Sequence, residues 1–176
     1  MAPRAFLFFG VFTGYPELLQ ATREAIVAQF GSLHECGVSP VYPFPSTQAY
    51  DKTMGTQLHR QFFVLNELQP QTCLAVTKHA ALQIEKQLSL SSDFAVERPL
   101  NIDPGLLNDC RLILASTKDY AHRFYRGDNI WEEITLIYRG GAFEPLPWTY
   151  PDFRAPTYHE FFVTLRKDLL KKTRNG

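Results

Sequence analysis

The stretch AFLFFGVF, Ala5 to Phe12, is continuously apolar and aromatic. Side chains of a strand alternate between faces, so an unbroken run of this kind fits a strand covered on both sides. A signal peptide is the competing reading. Only one basic residue precedes the run, however, no small-residue cleavage site follows it, and a Gly-Tyr-Pro turn comes next. The stretch is therefore read as a buried first strand, and no segment approaches the length of a transmembrane helix.

The segments that follow supply partners for this strand. Pro16 stands where a first helical residue is favoured and Gly31 where a helix stops. Between them Leu18, Thr22, Ala25, Ile26 and Phe30 share one helical stripe. GVSPVYPFPSTQAYDKTMG, rich in proline and turn formers, reads as an extended edge followed by an exposed loop. RQFFVLNEL reads as a strand. After Pro70, Leu74, Thr77, Ala81, Ile84 and Leu88 recur at helical spacing, which leaves Lys78 and His79 on a solvated face. This half is β-α-β-β-α.

In NIDPG, Asp103 is read as the cap of a short helical turn opened by Pro104. RLILAST, AHRFYR, WEEITLIYR and AFEPLPW then follow as closely spaced strands with glycine turns, an antiparallel meander. Thr157 and Glu160 form a T-x-x-E capping box for a last helix with Tyr158, Phe161, Phe162, Leu165 and Leu169 as its apolar stripe. The expected fold class is α+β, one domain over residues 1–176, ending in that helix.

Composition narrows the function. With 176 residues, 45% of them hydrophobic, the chain can bury a sizeable core. Eighteen basic residues balance eighteen acidic ones, so there is no general pull toward nucleic acid or an anionic membrane. Three scattered cysteines with no CxxC pair fit a reducing cytoplasm and argue against a zinc ribbon or disulfide framework. The histidines make no HExxH or HxH pattern, so no metal site is assigned. P-loop, G-x-G-x-x-G and G-x-S-x-G motifs are all missing, which removes P-loop hydrolysis, a dinucleotide fold and a nucleophile elbow. No cofactor is indicated.

What remains is LASTKDYAHRFYRGDNIWEEITLIYRGG, Leu114 to Gly141. If Gly127-Asp128 is a two-residue turn, Arg123 faces Glu132 and His122 faces Glu133; a three-residue loop sets Arg123 opposite Glu133. One reading is structural, a cross-strand ion pair worth roughly 0.2–1 kcal/mol. The other is functional: Lys118 and Arg123 hold an anion while His122 and Glu133 serve proton transfer. Asp103 has two readings as well, a turn cap or a metal ligand or general base. In WTYPDFR, Trp148 beside Asp152 and Arg154 either stacks on a planar ligand or clamps the core.

RPLNIDPG, LASTKD, HRFY, EEITLIY and PLPWTYPDF, with a looser match at VYPFPSTQAYDKTMG and FFGVF, resemble a bacterial domain-of-unknown-function family, number 4416. The resemblance implies that Asp103, Lys118, Asp119, His122, Arg123, Glu133, Asp152 and Arg154 occupy motif positions. It also implies a glutamate where this chain has Thr53. Members are sometimes labelled GTP-binding, a label to which the missing P-loop gives no support.

Two function classes follow from these residues. The first is a cytoplasmic binding protein or enzyme for a phosphate- or carboxylate-bearing small molecule, with Lys118, Arg123, Asp119, Asp152, Arg154 and Trp148 as binding residues and His122, Asp103 and Glu133 as catalytic ones. The second is a non-catalytic protein–protein module using the aromatic-proline loops VYPFP and PLPWTYPDF, which implies self-association or a specific partner. A nucleic-acid module is disfavoured by the neutral charge.

Overall fold

A computed structural model describes residues 4–45 and 48–174. In chain order the elements are β1 (Arg4–Thr13), α1 (Pro16–Phe30), β2 (Leu33–Val38), β3 (Tyr42–Pro43), α2 (Gln48–Met54), β4 (His59–Leu65) and β5 (Gln69–Pro70). They continue with α3 (Leu74–Ser89), β6 (Leu100–Leu107), β7 (Arg111–Ser116), β8 (Phe124–Gly127), β9 (Ile130–Arg139), β10 (Ala142–Pro145) and α4 (Pro156–Arg174). Among the described residues the main sheet runs β10-β9-β7-β6-β1-β4-β2, with antiparallel pairing along it. The fold is α+β, with an antiparallel sheet and a C-terminal helix.

The apolar run of β1 is explained by its central place. Ala5, Leu7, Phe9 and Val11 face Leu18 and Ile26 of α1 and Leu74 and Ala81 of α3. Phe6 and Phe8 point the other way, onto Phe162, Leu165 and Leu169 of α4. Each of the Leu, Val and Phe side chains among them contributes about 1.5–3 kcal/mol on burial, so a polar residue on either face of β1 would be costly. The sheet is thus the middle layer between α1/α3 and α4.

Asp103 and Pro104 do not open a helical turn. They lie within β6, opposite Gly10 and Phe9 of β1. The β6–β7 ladder covers Gly105↔Leu114 to Leu107↔Leu112 and stops there. Pro104, next in line, has no N–H to extend it. Gly105 is required at this junction, because a Cβ would stand 2.3 Å from Phe8 Cζ and 2.5 Å from the Ile113 carbonyl. Beyond the junction the two strands part and leave a cleft.

Other local expectations change too. The proline-rich segment contains helix α2, and its Met54 packs with Phe12, Phe44 and Leu58; residues 46 and 47 of that segment lie outside those described. Helix α4 begins at Pro156, so Thr157 is its second residue rather than its cap. Strand β8 lies on the far edge of β9 from β7, so the chain crosses the end of β9 between residues 117 and 123. Asp128 and Asn129 both have left-handed backbone (φ 52° and 57°), the form a two-residue hairpin turn requires. No helix among the described residues is long and apolar enough to cross a membrane.

Candidate functional site: a cationic cleft at the β6–β7 fork

The cleft holds about 110 Å³, room for more than a single water. Asn101 and Asp103 of β6 form one wall, and residues 114–118 at the end of β7 form the other. Five basic side chains (Arg60, Lys78, Arg98, Lys118, Arg123) line it, against three acidic ones (Asp103, Glu133, Asp152).

Its floor is a charge network between α3 and β6, buried at Lys78 and Glu85 and open to solvent at Arg98. Lys78 Nζ donates to the Ile102 carbonyl at 2.7 Å and to Asp103 Oδ1 at 3.2 Å, and lies 4.0 Å from Glu85. Asn101 Nδ2 donates to the other Asp103 oxygen at 2.7 Å. Glu85 accepts the Ile102 N–H at 2.7 Å and pairs with Arg98 at 3.3 Å, while Arg98 also bonds Asn101. Burial opposes ionisation of Asp103, but Lys78, Arg60 and Arg98 outweigh it and hold the carboxyl below its ordinary range. At Glu85 burial prevails over the pull of Lys78 and Arg98, and its pKa rises.

Arg60 enters from β4 inside an aromatic cage. Its guanidinium lies 4.7 Å from the Phe12 ring centroid, 5.0 Å from Phe44 and 5.5 Å from Phe153. Gly10 of β1 makes the space, since a Cβ there would come within 2.6 Å of Nη1. Arg60 sits between two carboxylates, 3.0 Å from Asp152 and 3.9 Å from Asp103. Among the described residues its Nε and Nη1 are nevertheless buried without hydrogen-bond partners.

Arg123 organises the opposite rim. Nε donates to Glu133 at 2.7 Å, Nη1 to Ser116 Oγ at 2.6 Å and to the Lys118 carbonyl at 2.8 Å, and Nη2 to Tyr150 at 3.1 Å. Glu133, itself buried, also meets His122 Nε2 at 3.0 Å and accepts from Thr135 at 3.2 Å. Of the two registers read from sequence, the strand body has the second: Phe124 faces Glu132, which carries Arg123 toward Glu133. Glu132 pairs with Arg126 instead. The Lys118 ammonium has no hydrogen bond or ion pair among the described residues, although the backbone beneath it is tied on both sides, its N–H to Ser116 and its carbonyl to Arg123.

Of the residues singled out in the sequence, Asp103, Lys118, Arg123, Glu133 and Asp152 meet in this cleft. His122 and Trp148 do not line it. Their rings stack at 5.3 Å beside a separate shallow hollow with Phe124, and Trp148 Nε1 donates to the Ile134 carbonyl at 2.8 Å. Arg154 braces its own loop by bonding the carbonyls of Leu146, Pro147 and Thr149. Asp119 is exposed and outside the cleft lining.

Sequence reading missed Arg60, Lys78, Arg98 and Asn101. Lys78 had a signal: with Glu85 it shares the stripe of Leu74, Thr77, Ala81 and Ile84, all buried on one face of α3. Charged residues at apolar helical positions mark a buried pair, not a solvated face. Arg60 offered less, standing merely in alternation with Phe62 and Val64 on β4.

Among the described residues, His34, Cys36 and Asp168 form a grouping of metal-ligand type, with one ligand atom from each lying within 4.8 Å of the others. Two of the three are already engaged. His34 Nδ1 accepts the Cys36 N–H at 3.1 Å, and Asp168 pairs with Lys171 at 2.8 Å.

A family model described as "Domain of unknown function (DUF4416)" matches residues 3–169. No curated protein and no solved structure matches the chain.

Proposed function

The chain belongs to the DUF4416 family, and from the geometry of its cleft we propose that it binds a small phosphate- or carboxylate-bearing anion between β6 and β7. The observation that carries this reading is unspent cationic capacity. Basic side chains outnumber acidic ones in the lining, and among the described residues the Lys118 ammonium has no partner and two nitrogens of buried Arg60 lack acceptors. A buried donor left unpaired costs about 1–3 kcal/mol, which an anion in the cleft would relieve.

The reading changes two roles expected from sequence. Lys118 and Arg60 contact the anion, and Lys78 and Arg98 add positive potential from below. Arg123 positions rather than clamps, since four of its five N–H donors are taken up by Glu133, Ser116, Tyr150 and the Lys118 carbonyl. His122 reaches the cleft only through Glu133. The reading covers a binding protein as well as an enzyme.

A thermal-shift panel of inorganic phosphate, sulfate, dicarboxylates and phosphorylated sugars tests it. At a hundred times its Kd an anion stabilises by about 2.7 kcal/mol, on the order of 5–10 °C for a domain this size. Lys118→Ala is expected to lose that shift and keep the ligand-free melting temperature. A flat panel, or an undiminished shift in the variant, would overturn the reading.

A second reading, a protein-interaction surface, is favoured by one observation. Phe124 and Tyr125 on β8 are 68% and 61% exposed, and Phe124 lies beside exposed Trp148. Within VYPFP, by contrast, Phe44 is buried. Self-association that weakens in Phe124→Ser would support this reading, and a monomer at all concentrations would remove its self-association form.

A further inference from the structure

Resting on the anion-binding reading, we propose that the cleft takes up its anion together with one proton, and that Asp152 is the group that receives it. Two carboxylates share Arg60, and their support is unequal. Asp103 has Lys78 at 3.2 Å and Asn101 at 2.7 Å besides Arg60 at 3.9 Å. Asp152, in the turn before α4, has one cationic partner, Arg60 at 3.0 Å from Oδ2, and the backbone N–H groups of Asp152 and Phe153 as its further support; among the described residues Oδ2 makes no well-aligned hydrogen bond.

A second anion drawn to Arg60 would compete with both carboxylates for the same guanidinium. The less supported one yields. Protonating Asp152 removes a negative charge beside the ligand, frees Arg60 for it, and gives the carboxyl a proton to donate toward the bound anion. The step is a single proton transfer: an O–H bond forms at the Asp152 carboxylate as one breaks in a hydronium or buffer acid of the solvent.

The groups around Asp152 fit this assignment. Arg60 comes from β4, Asp103 from β6, Tyr50 from α2, and Tyr158 and His159 from α4, His159 bonding the neighbouring Phe153 carbonyl at 2.7 Å. Burial raises the Asp152 pKa, Arg60 opposes that, and Asp103 adds to it, so even the empty cleft favours its protonation more than an ordinary aspartate's. Tyr50, pushed up to about 12 chiefly by burial, stays neutral throughout.

Sulfate is the suitable probe, because it remains a dianion from about pH 5 to about pH 8 while carboxyls and histidines titrate. Sulfate Kd is measured by calorimetry across that range for wild type and Asp152→Asn. With one proton linked, wild-type affinity falls by up to about tenfold per pH unit as pH rises through the Asp152 titration. Asp152→Asn binds tightly and without that slope.

Carboxyl carbon NMR on the wild-type chain keeps the proposal testable should the variant fail to fold: added sulfate shifts the Asp152 midpoint upward. Affinity that ignores pH, a slope that survives in Asp152→Asn, or an Asp152 midpoint indifferent to sulfate overturns proton coupling and leaves anion binding intact. No sulfate binding at any pH overturns the anion-binding reading itself.

Discussion

Lys78 Nζ stands 3.2 Å from Asp103 Oδ1 across the α3–β6 interface. This pair joins the buried face of a helix to the strand position just before Pro104, where the β6–β7 ladder gives way to the cleft. One contact therefore bears on both the fold and the proposed site, and the consequences can be separated by measurement.

Replacing Lys78 with Met keeps its apolar stem and removes the charge. Asp103 and buried Glu85 would then face each other with less compensation. Breaking a buried pair from one side costs about 3–5 kcal/mol, and Asn101 and Arg60 place the expected loss near the low end, about 3 kcal/mol in urea denaturation. Unchanged stability would mean that the network is held from elsewhere.

Arg123→Ala is expected to destabilise by about 3–5 kcal/mol, because it strands Glu133, 1% exposed, without its closest cation. Amide exchange at Lys118 should quicken, as the variant also removes the hydrogen bond to the Lys118 carbonyl. A variant as stable as wild type that simply failed to bind anions would restore the clamp role read from sequence.

Gly105→Ala must displace Phe8 or the β7 backbone, given approaches of 2.3 and 2.5 Å. Overpacking of this kind costs about 1–3 kcal/mol, and strain against backbone favours the upper part of that range. Chemical denaturation reads it directly. Full stability would show that β6 and β7 can part further at the fork.

Stability should respond to acid through Asp103. Its folded pKa lies below the unfolded value of about 3.9, so ionised Asp103 contributes stability above that value and loses it as pH falls through the folded one. Asp152 and Glu85, raised by burial, act in the opposite sense: their contribution is present at low pH and fades as pH rises through their folded values. Asp103→Asn should therefore flatten the fall in stability below about pH 4. An unaltered acid limb would show that other carboxylates govern it.

The layers of the fold were legible because they rest on local periodicity. The unbroken β1 run, the α1 and α3 stripes and the aromatic stripe of α4 each reported which sides are covered. Asp103-Pro104-Gly105 was misread because the triplet has strong turn chemistry, and only the neighbouring strands show that proline ends one ladder while glycine admits Phe8. The site was half legible. The rim residues Lys118, Arg123 and Glu133 lie close in sequence and announce themselves, as does Asp152 within its aromatic-proline motif, whereas Arg60, Lys78 and Asn101 come from three separated elements that only the folded topology brings together.

The most direct test of the central claim is an amide NMR titration of the wild-type chain with sulfate. Saturable shifts centred on Asn101, Asp103, Ser116 to Lys118 and Arg60 are the predicted result. No saturable shifts, or shifts centred instead on Phe124 and Tyr125 of β8, would contradict an anion site at the β6–β7 fork.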